Sequence, residues 1–372
     1  MKQNCDRKLV LEDGSVYKGY GFGSMEDRYV ELVFNTSMVG YQEILTDRSY
    51  TDQAVVMTYP VIGNYGICEG DEESDSPGIS GLVVRQFCEE PSNFRCSMTI
   101  NEFMKNHGIA GICGVDTRQI TRQIRNIGSC KALITSADND TGSAMRSLAA
   151  YVPATDQVLR AGTKETVKIA PQALPVYPDP VVVIDCGIKK NILRMLSKRG
   201  FSLVVVPPDT PAETIMEYDP CGVFISNGPG NPEDCKSTIE TIRRLRGRLP
   251  IFGICLGHQM ICLAYGAKTY KLKFGHRGGN HPVRNVTTDK IEITSQNHSY
   301  AVVPESIEGT GLTVTHVNLL DDTVEGVECK KDMLFSVQYH PESAPGPCDS
   351  EYLFDSFAAL IAEYEEGRRD HA

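Results

Sequence analysis

The sequence predicts an α/β protein in two parts, a β-rich amino-terminal α/β domain followed by a doubly wound, mostly parallel sheet. Three observations carry this. The 372 residues exceed one ordinary core and fit about two domains of ~100–200 residues each. Short apolar runs broken by glycine and proline fill residues 1–150, and from residue 181 apolar strands alternate with amphipathic helices.

In the first part, "LVLEDGSVYKGYGFG", "VELVFN", "QAVVMTYP" and "ISGLVVRQF" read as strands. One helix is expected in "DTRQITRQIRNIG", with Asp116 as N-cap, Ile120, Ile124 and Ile127 on one face, and Gly128 as the stop. Residues 151–180 lose periodicity and end in prolines, so the linker is placed there. In the second part, 181–372, the order is "VVVID", "IKKNILRMLSKRG", "FSLVVVP", "ETIMEYD", "GVFISNGPGNPED", "KSTIETIRRLRGR", "LPIFGIC" and "LGHQMICLAYG". Ile188, Ile192, Met195 and Leu196 form one apolar stripe closed by Gly200. Continuous apolar strands separated by such helices imply parallel neighbours covered on both faces. Ligands in such sheets sit at the carboxyl ends of strands. No repeat of 20–50 residues is visible.

Composition narrows the partners. A hydrophobic share of 41% and a charged share of 23% are those of a globular chain. The net charge of −11 repels phosphate backbones and anionic lipid, so neither nucleic acid nor membrane is expected. No secretory h-region and no apolar stretch of ~18 residues occurs, which points to the cytoplasm. Thirteen cysteines, odd in number and without C-x-x-C spacing, are expected free and mostly buried, with no metal site.

Two "GIC" strings raise the question of a reactive thiol. Cys255 in "GICLGHQ" falls where a strand ends and a helix begins, the G-x-C-x-G form of a nucleophile elbow, with Gly253 and Gly257 giving room for the turn. There the free N–H groups and dipole of the helix favour a thiolate, and the Leu256 N–H is available to an oxyanion. Cys113 lies at least three residues before its helix and reads as packing. For Cys255 the pentapeptide alone leaves reaction and burial both open. A partner decides. In "FSVQYHPESAPGP", His340 ends an apolar stretch and Glu342 follows in a proline-bounded turn; a surface histidine and a solvated charge are the plain alternatives. With Cys255 they make a Cys-His-Glu triad: nucleophile, base, and the carboxylate that orients the base. "FISNGPGNPED" adds Gly228 and Gly230 around Pro229, a rigid turn whose N–H groups can converge on an oxygen, or simply a tight turn. It fits no phosphate-loop pattern.

The carboxy-terminal half resembles the class I (triad) glutamine amidotransferases, which have a flavodoxin-like sheet: "NGPG", "GICLGHQ" and "HPE" occur in that family's order and spacing. Across nearly its full length, through "VFNTSMVGYQEILTDRSY", "TYPVIGNYG", "DEES", "GVDTRQITRQIR", "CGIKKNILRML", "KFGHRGGNHPV" and "QNHSYAV", the chain also resembles the small subunits of glutamine-hydrolysing carbamoyl-phosphate synthetases. The resemblance implies Cys255 as nucleophile, His340 as base and then acid, and Glu342 as its orienting partner. It implies that L-glutamine is held by Ser49, Gly228, Gly230, Leu256, Gln259, Asn297, Ser299 and Tyr300. Family members commonly carry glycine and phenylalanine where this chain has Ser299 and Tyr300. Gln259, at i+4 from Cys255, faces the same side of its helix. His276 and His281 are rival bases, read as structural and off the sheet edge.

The chemistry implied is acyl transfer to Cys255 with release of ammonia. No phosphate loop and no evident metal cluster appears, so no cofactor is expected in this chain. ATP, Mg and bicarbonate belong, on the same resemblance, to a large synthetase subunit docked by the amino-terminal domain in a heterodimer, for arginine or pyrimidine synthesis. Two other classes stay open: a stand-alone cysteine hydrolase active without a partner, and a scaffold subunit with a vestigial triad.

Overall fold

A computed structural model describes residues 4–370 and divides them into two units, one of residues up to 154 with 273–277, the other of 155–272 with 278 onward. In the first unit the described strands close into a barrel. Its order is Arg7–Leu11, Cys130–Ser136, Arg28–Asn35, Gln53–Met57, Gly81–Val83, Ala110–Cys113, Val16–Gly23 and back to Arg7–Leu11. The run from Arg28–Asn35 to Ala110–Cys113 is parallel and the other pairings are antiparallel. Side chains alternate with the period of a strand. Leu32, Ala54 and Val83 therefore join one core with Ile120 and Ile124, while Val33, Val55 and Leu82 join another under the helices Tyr41–Thr46 and Ile100–Asn106.

The helix expected after Asp116 spans Thr117–Ile127, and the Asp116 side chain accepts from the Gln119 N–H at 3.0 Å. Gly128, at φ 105°, ends it. Ile127 keeps the face of Ile120 and Ile124 but is the last residue of the helix, and it is 47% exposed.

The second unit is built on a ten-stranded sheet. Its centre is parallel, in the order Leu203–Val206, Val181–Ile184, Gly222–Ile225, Ile251–Ile254, Leu334–Val337. Every residue of these strands is buried except the half-buried Phe335. Val182, Ile184, Val204 and Val223 pack on one face with Ile239, Ile242 and Met260, whereas Val181, Val183, Leu203 and Phe224 pack on the other with Ile192, Leu196 and Phe357. Both faces are covered, which is why these strands read as unbroken apolar runs. Beyond Leu334–Val337 the sheet turns antiparallel through Val324–Cys329, Thr313–Asn318, Thr269–Asn285 and Lys290–Val302.

The segment 151–180, expected to be linker, is not free chain. It contains the helix Gln157–Ala161 and the strand Val167–Ile169, which pairs antiparallel with Leu203–Val206 as an edge strand. Elements of five and three residues are too short to show a period. The helix expected to carry Ile188, Ile192, Met195 and Leu196 starts at Lys190, so Ile188 stands just outside it, though still buried in the same cluster. All thirteen cysteines are free and nine are buried; Cys113 is among the latter, its thiol pushed up to about 11 by burial. No described helix is long and apolar enough to cross a membrane.

Candidate active site

The strand Ile251–Ile254 runs into Cys255 and the helix Leu256–Ala264 follows at once. Cys255 sits at φ 54°, ψ −103°, a conformation that costs a non-glycine residue about 1–3 kcal/mol. Such strain marks a nucleophile elbow. The turn needs its second glycine for close approach: a Cβ on Gly257 would lie 2.3 Å from the Ile225 carbonyl oxygen of the neighbouring strand. The Cys255 N–H donates to Val337 O at 2.8 Å, and Sγ lies 3.7 Å from the carbonyl oxygen of Asn297. The N–H groups of the helix's first turn have no carbonyl of their own helix to pair with.

His340 follows the strand Leu334–Val337, beside the one that carries Cys255. Its N–H donates to Ser295 O at 2.9 Å, and its Nδ1 is 2.7 Å from Glu342 Oε1. The same carboxylate oxygen is 3.0 Å from Lys189 Nζ, which also donates to Ser343 O at 3.2 Å. Asn191 Nδ2 donates to the Glu342 carbonyl at 2.5 Å. Glu342 and His340 are 1% and 2% exposed, which removes the solvated-turn and surface-loop readings of both.

Burial by itself raises the Glu342 carboxyl, but Lys189 and the imidazole outweigh it and hold the acid down to about 2. Burial likewise lowers His340, and Lys189 pushes the same way, but the Glu342 charge wins and the imidazole is raised to about 10, with the Cys255 side chain among the groups raising it. His340 Nε2, the atom turned away from Glu342, is buried with no hydrogen-bond partner among the described residues. An imidazole bound to a carboxylate through Nδ1 keeps Nε2 for proton exchange.

The glycine loop follows Gly222–Ile225 and is pinned to the turn that carries Lys189. Ser226 Oγ accepts from Cys186 N at 2.8 Å, Asn227 Nδ2 donates to Gly187 O at 3.1 Å, and Asn227 Oδ1 accepts from Lys189 N at 3.3 Å. A Cβ on Gly228 would meet Cys186 O at 2.3 Å and Leu256 Cδ2 at 2.9 Å, so the loop touches the nucleophile turn itself. Gly230 lies against the Gln157 side chain. Gln259, one turn along the helix, is buried and donates from Nε2 to Tyr300 O at 2.8 Å and to Gln338 Oε1 at 2.9 Å. Tyr300 O is also 2.7 Å from His298 Nδ1. Ser299 and Tyr300 are half-buried on the strand Lys290–Val302.

Of the residues expected at the site, Cys255 contacts Asn297, Gly228 lies against Leu256, Gln259 bonds Tyr300 and His340 bonds Glu342. Ser49 belongs to the other unit, buried in the 3-10 turn Arg48–Tyr50 with its N–H on Asp47 Oδ1 at 2.9 Å. His276 and His281 lie within the strand Thr269–Asn285 rather than off the sheet, and His340 is the described histidine paired with Glu342. Sequence reasoning missed Lys189, Asn191 and Asn227. A lysine followed by a second lysine at a helix start reads as a solvated end, and only the fold turns it onto a buried carboxylate.

The fold and this site define a class. Residues 182–360 match the family model described as glutamine amidotransferase class-I. Residues 9–134 match a second, described as carbamoyl-phosphate synthase small chain, CPSase domain. The chain is similar to the carbamoyl phosphate synthase small chain of Fusobacterium nucleatum, 50% identical over 96% of this chain and 98% of that one. It is also similar to the protein so named in Bacillus caldolyticus, 48% identical over 98% and 100%, and to that of Staphylococcus saprophyticus, 48% identical over 96% and 97%. The chain belongs to the carbamoyl-phosphate synthase small chain family.

Proposed function

We propose that this chain is the glutaminase subunit of a glutamine-hydrolysing carbamoyl-phosphate synthase, with Cys255, His340 and Glu342 as its catalytic groups. The observation that carries the reading is the strained Cys255 turn beside a buried imidazole whose other nitrogen is held by a carboxylate.

Cys255 Sγ attacks the side-chain amide carbon of glutamine. The oxyanion that forms is met by the Leu256 N–H and by the Gly228 loop, where each donor is worth ~100- to 1,000-fold in rate. His340, charged while Glu342 is ionised beside it, gives its Nε2 proton to the departing nitrogen and ammonia leaves. The neutral ring then takes a proton from water, which opens the γ-glutamyl thioester, releases glutamate and restores the imidazolium. Gly230, Gln259, Asn297, Ser299 and Tyr300 hold the amino acid.

Free ammonia is protonated in neutral water and then ceases to be a nucleophile, so hydrolysis serves synthesis only if the ammonia is passed on unequilibrated. The receiver in this reading is a large subunit in a cytoplasmic heterodimer, which binds ATP and Mg and makes carbamoyl phosphate from bicarbonate and two ATP. The product feeds arginine or pyrimidine synthesis. The chain itself needs no cofactor.

The test is reconstitution with the large subunit. Cys255→Ser is expected to abolish glutamine-dependent synthesis while ammonia-dependent synthesis persists, and the large subunit is expected to stimulate glutaminase. Glutamine turnover equal with and without the partner would favour a stand-alone hydrolase instead.

A further inference from the structure

A carboxamide can present either its oxygen or its N–H pair to a ligand, and for Gln259 the choice is made behind the site. Its Nε2 lies 2.8 Å from the Tyr300 carbonyl oxygen. A backbone carbonyl only accepts, so the atom facing it is the nitrogen. The second N–H of that nitrogen goes to Gln338 Oε1 at 2.9 Å. Both donors are then spent, and the atom Gln259 has left for a ligand is its oxygen.

Gln338 accepts at a cost. It is fully buried, two residues before His340, with its backbone N–H on Glu325 O at 2.9 Å. Turning its oxygen to Gln259 leaves its own Nε2 buried with no partner among the described residues. A buried donor left without a partner loses its hydration with nothing to replace it. The opposite amide orientation would set N–H against N–H and break the lock on Gln259.

We propose that Gln338 is a positioning residue for substrate recognition: it holds Gln259 as an acceptor-only contact, which the substrate meets with its α-ammonium. The span supports the choice of group, since Gln259 stands one helical turn, ~5.4 Å, beyond the nucleophile, about as far as the α-carbon end of glutamine lies from its amide carbon. The inference rests on the glutaminase reading above.

The experiment compares Gln338→Met, which removes the acceptor, with Gln338→Glu, which keeps one because a carboxyl buried there is neutral. Each is measured in complex with the large subunit, alone and in a Gln259→Ala background. Gln338→Met is expected to raise the KM for glutamine ~10-fold with a much smaller change in kcat, the signature of lost uniform binding. Gln338→Glu is expected to restore KM to within about 3-fold, and Gln338→Met is expected to add nothing once Gln259 is alanine, the coupling of residues that act as one. An unchanged KM in Gln338→Met, or the same rise in the Gln259→Ala background, would overturn the inference. Should Gln338→Met fail to assemble, Gln338→Asn withdraws the acceptor by one methylene and carries the same comparison. A wild-type complex that hydrolyses no glutamine would instead defeat the functional reading itself, which an active wild type with an indifferent Gln338→Met would not.

Discussion

At the scale of single residues, the charge on His340 is set by Glu342, and Glu342 by Lys189, three buried groups sharing one carboxylate oxygen. Their titration couples to stability with opposite signs. His340 is raised from 6.5 to about 10, so its contribution is full below pH 6.5 and fades as pH climbs through about 10. Glu342 is held from 4.5 down to about 2, so its contribution is full above pH 4.5 and fades as pH falls through about 2. Thermal melts of the wild type should therefore drop between pH 7 and 10, and Glu342→Gln, which leaves Lys189 and the imidazole without their counter-charge, should flatten that alkaline arm. Removing one partner of a buried pair also costs about 3–5 kcal/mol, so the variant should melt lower at pH 7 as well. An alkaline arm of equal slope in both proteins would show that Glu342 does not set the imidazole's charge. Cys255, His340 and Glu342 were legible as a possible triad because each ends or follows an apolar run. Lys189 was not, because nothing local distinguishes a lysine that will be buried from one that will be solvated.

At the scale of elements, the nucleophile turn works only if the helix Leu256–Ala264 can lie against the strand Gly222–Ile225. Gly257→Ala places a methyl 2.3 Å from the Ile225 carbonyl oxygen, backbone against backbone, with no flexible side chain to give way. Overpacking of this kind costs about 1–3 kcal/mol, and the helix must back away from the strand and carry Leu256 and Cys255 with it. Both melting temperature and glutaminase kcat are expected to fall; a stable variant with full kcat would mean that the turn tolerates the shift. Asp116→Ala is the contrasting case. It deletes the cap bond to Gln119 N at 3.0 Å in the barrel unit and should cost about 1 kcal/mol of stability with little effect on glutamine turnover. That helix, with its cap and glycine stop, was legible to the residue because capping is local chemistry. Ile127 was misplaced because a 3.6-residue period gives the face of a helix and not how far along its axis that face is covered, and Ile127 is its last residue. Gln157–Ala161 and Val167–Ile169 were invisible, since their placement depends on the sheet edge they join.

At the scale of the whole molecule, the parallel half of the large sheet could be read because burial on both faces leaves unbroken apolar runs. The antiparallel half could not: Thr269–Asn285 and Lys290–Val302 run far beyond the length of an ordinary strand, include the polar runs "HRGGNH" and "TSQNHS", and are irregularly buried. Part of the irregularity has a cause in the division into units. Residues 273–277, in the middle of Thr269–Asn285, belong to the barrel unit. Lys273 O accepts from Ser129 N at 2.8 Å, the Phe274 ring packs 5.8 Å from that of Phe34, and Arg125 lies 6.0 Å over the Phe274 ring. The barrel unit is therefore not contiguous in sequence. A fragment ending at residue 154 lacks Phe274, whose contacts are worth about 1–2 kcal/mol by the area an aromatic ring buries. Residues 4–154 made alone should melt below the same unit in the intact chain, and a synthetic peptide of residues 269–281 should raise that melting temperature with the logarithm of its concentration once above its Kd, as any ligand of the folded state does. A peptide with Phe274→Ala should have no such effect; equal stabilisation by both peptides would show that the ring does not anchor the segment.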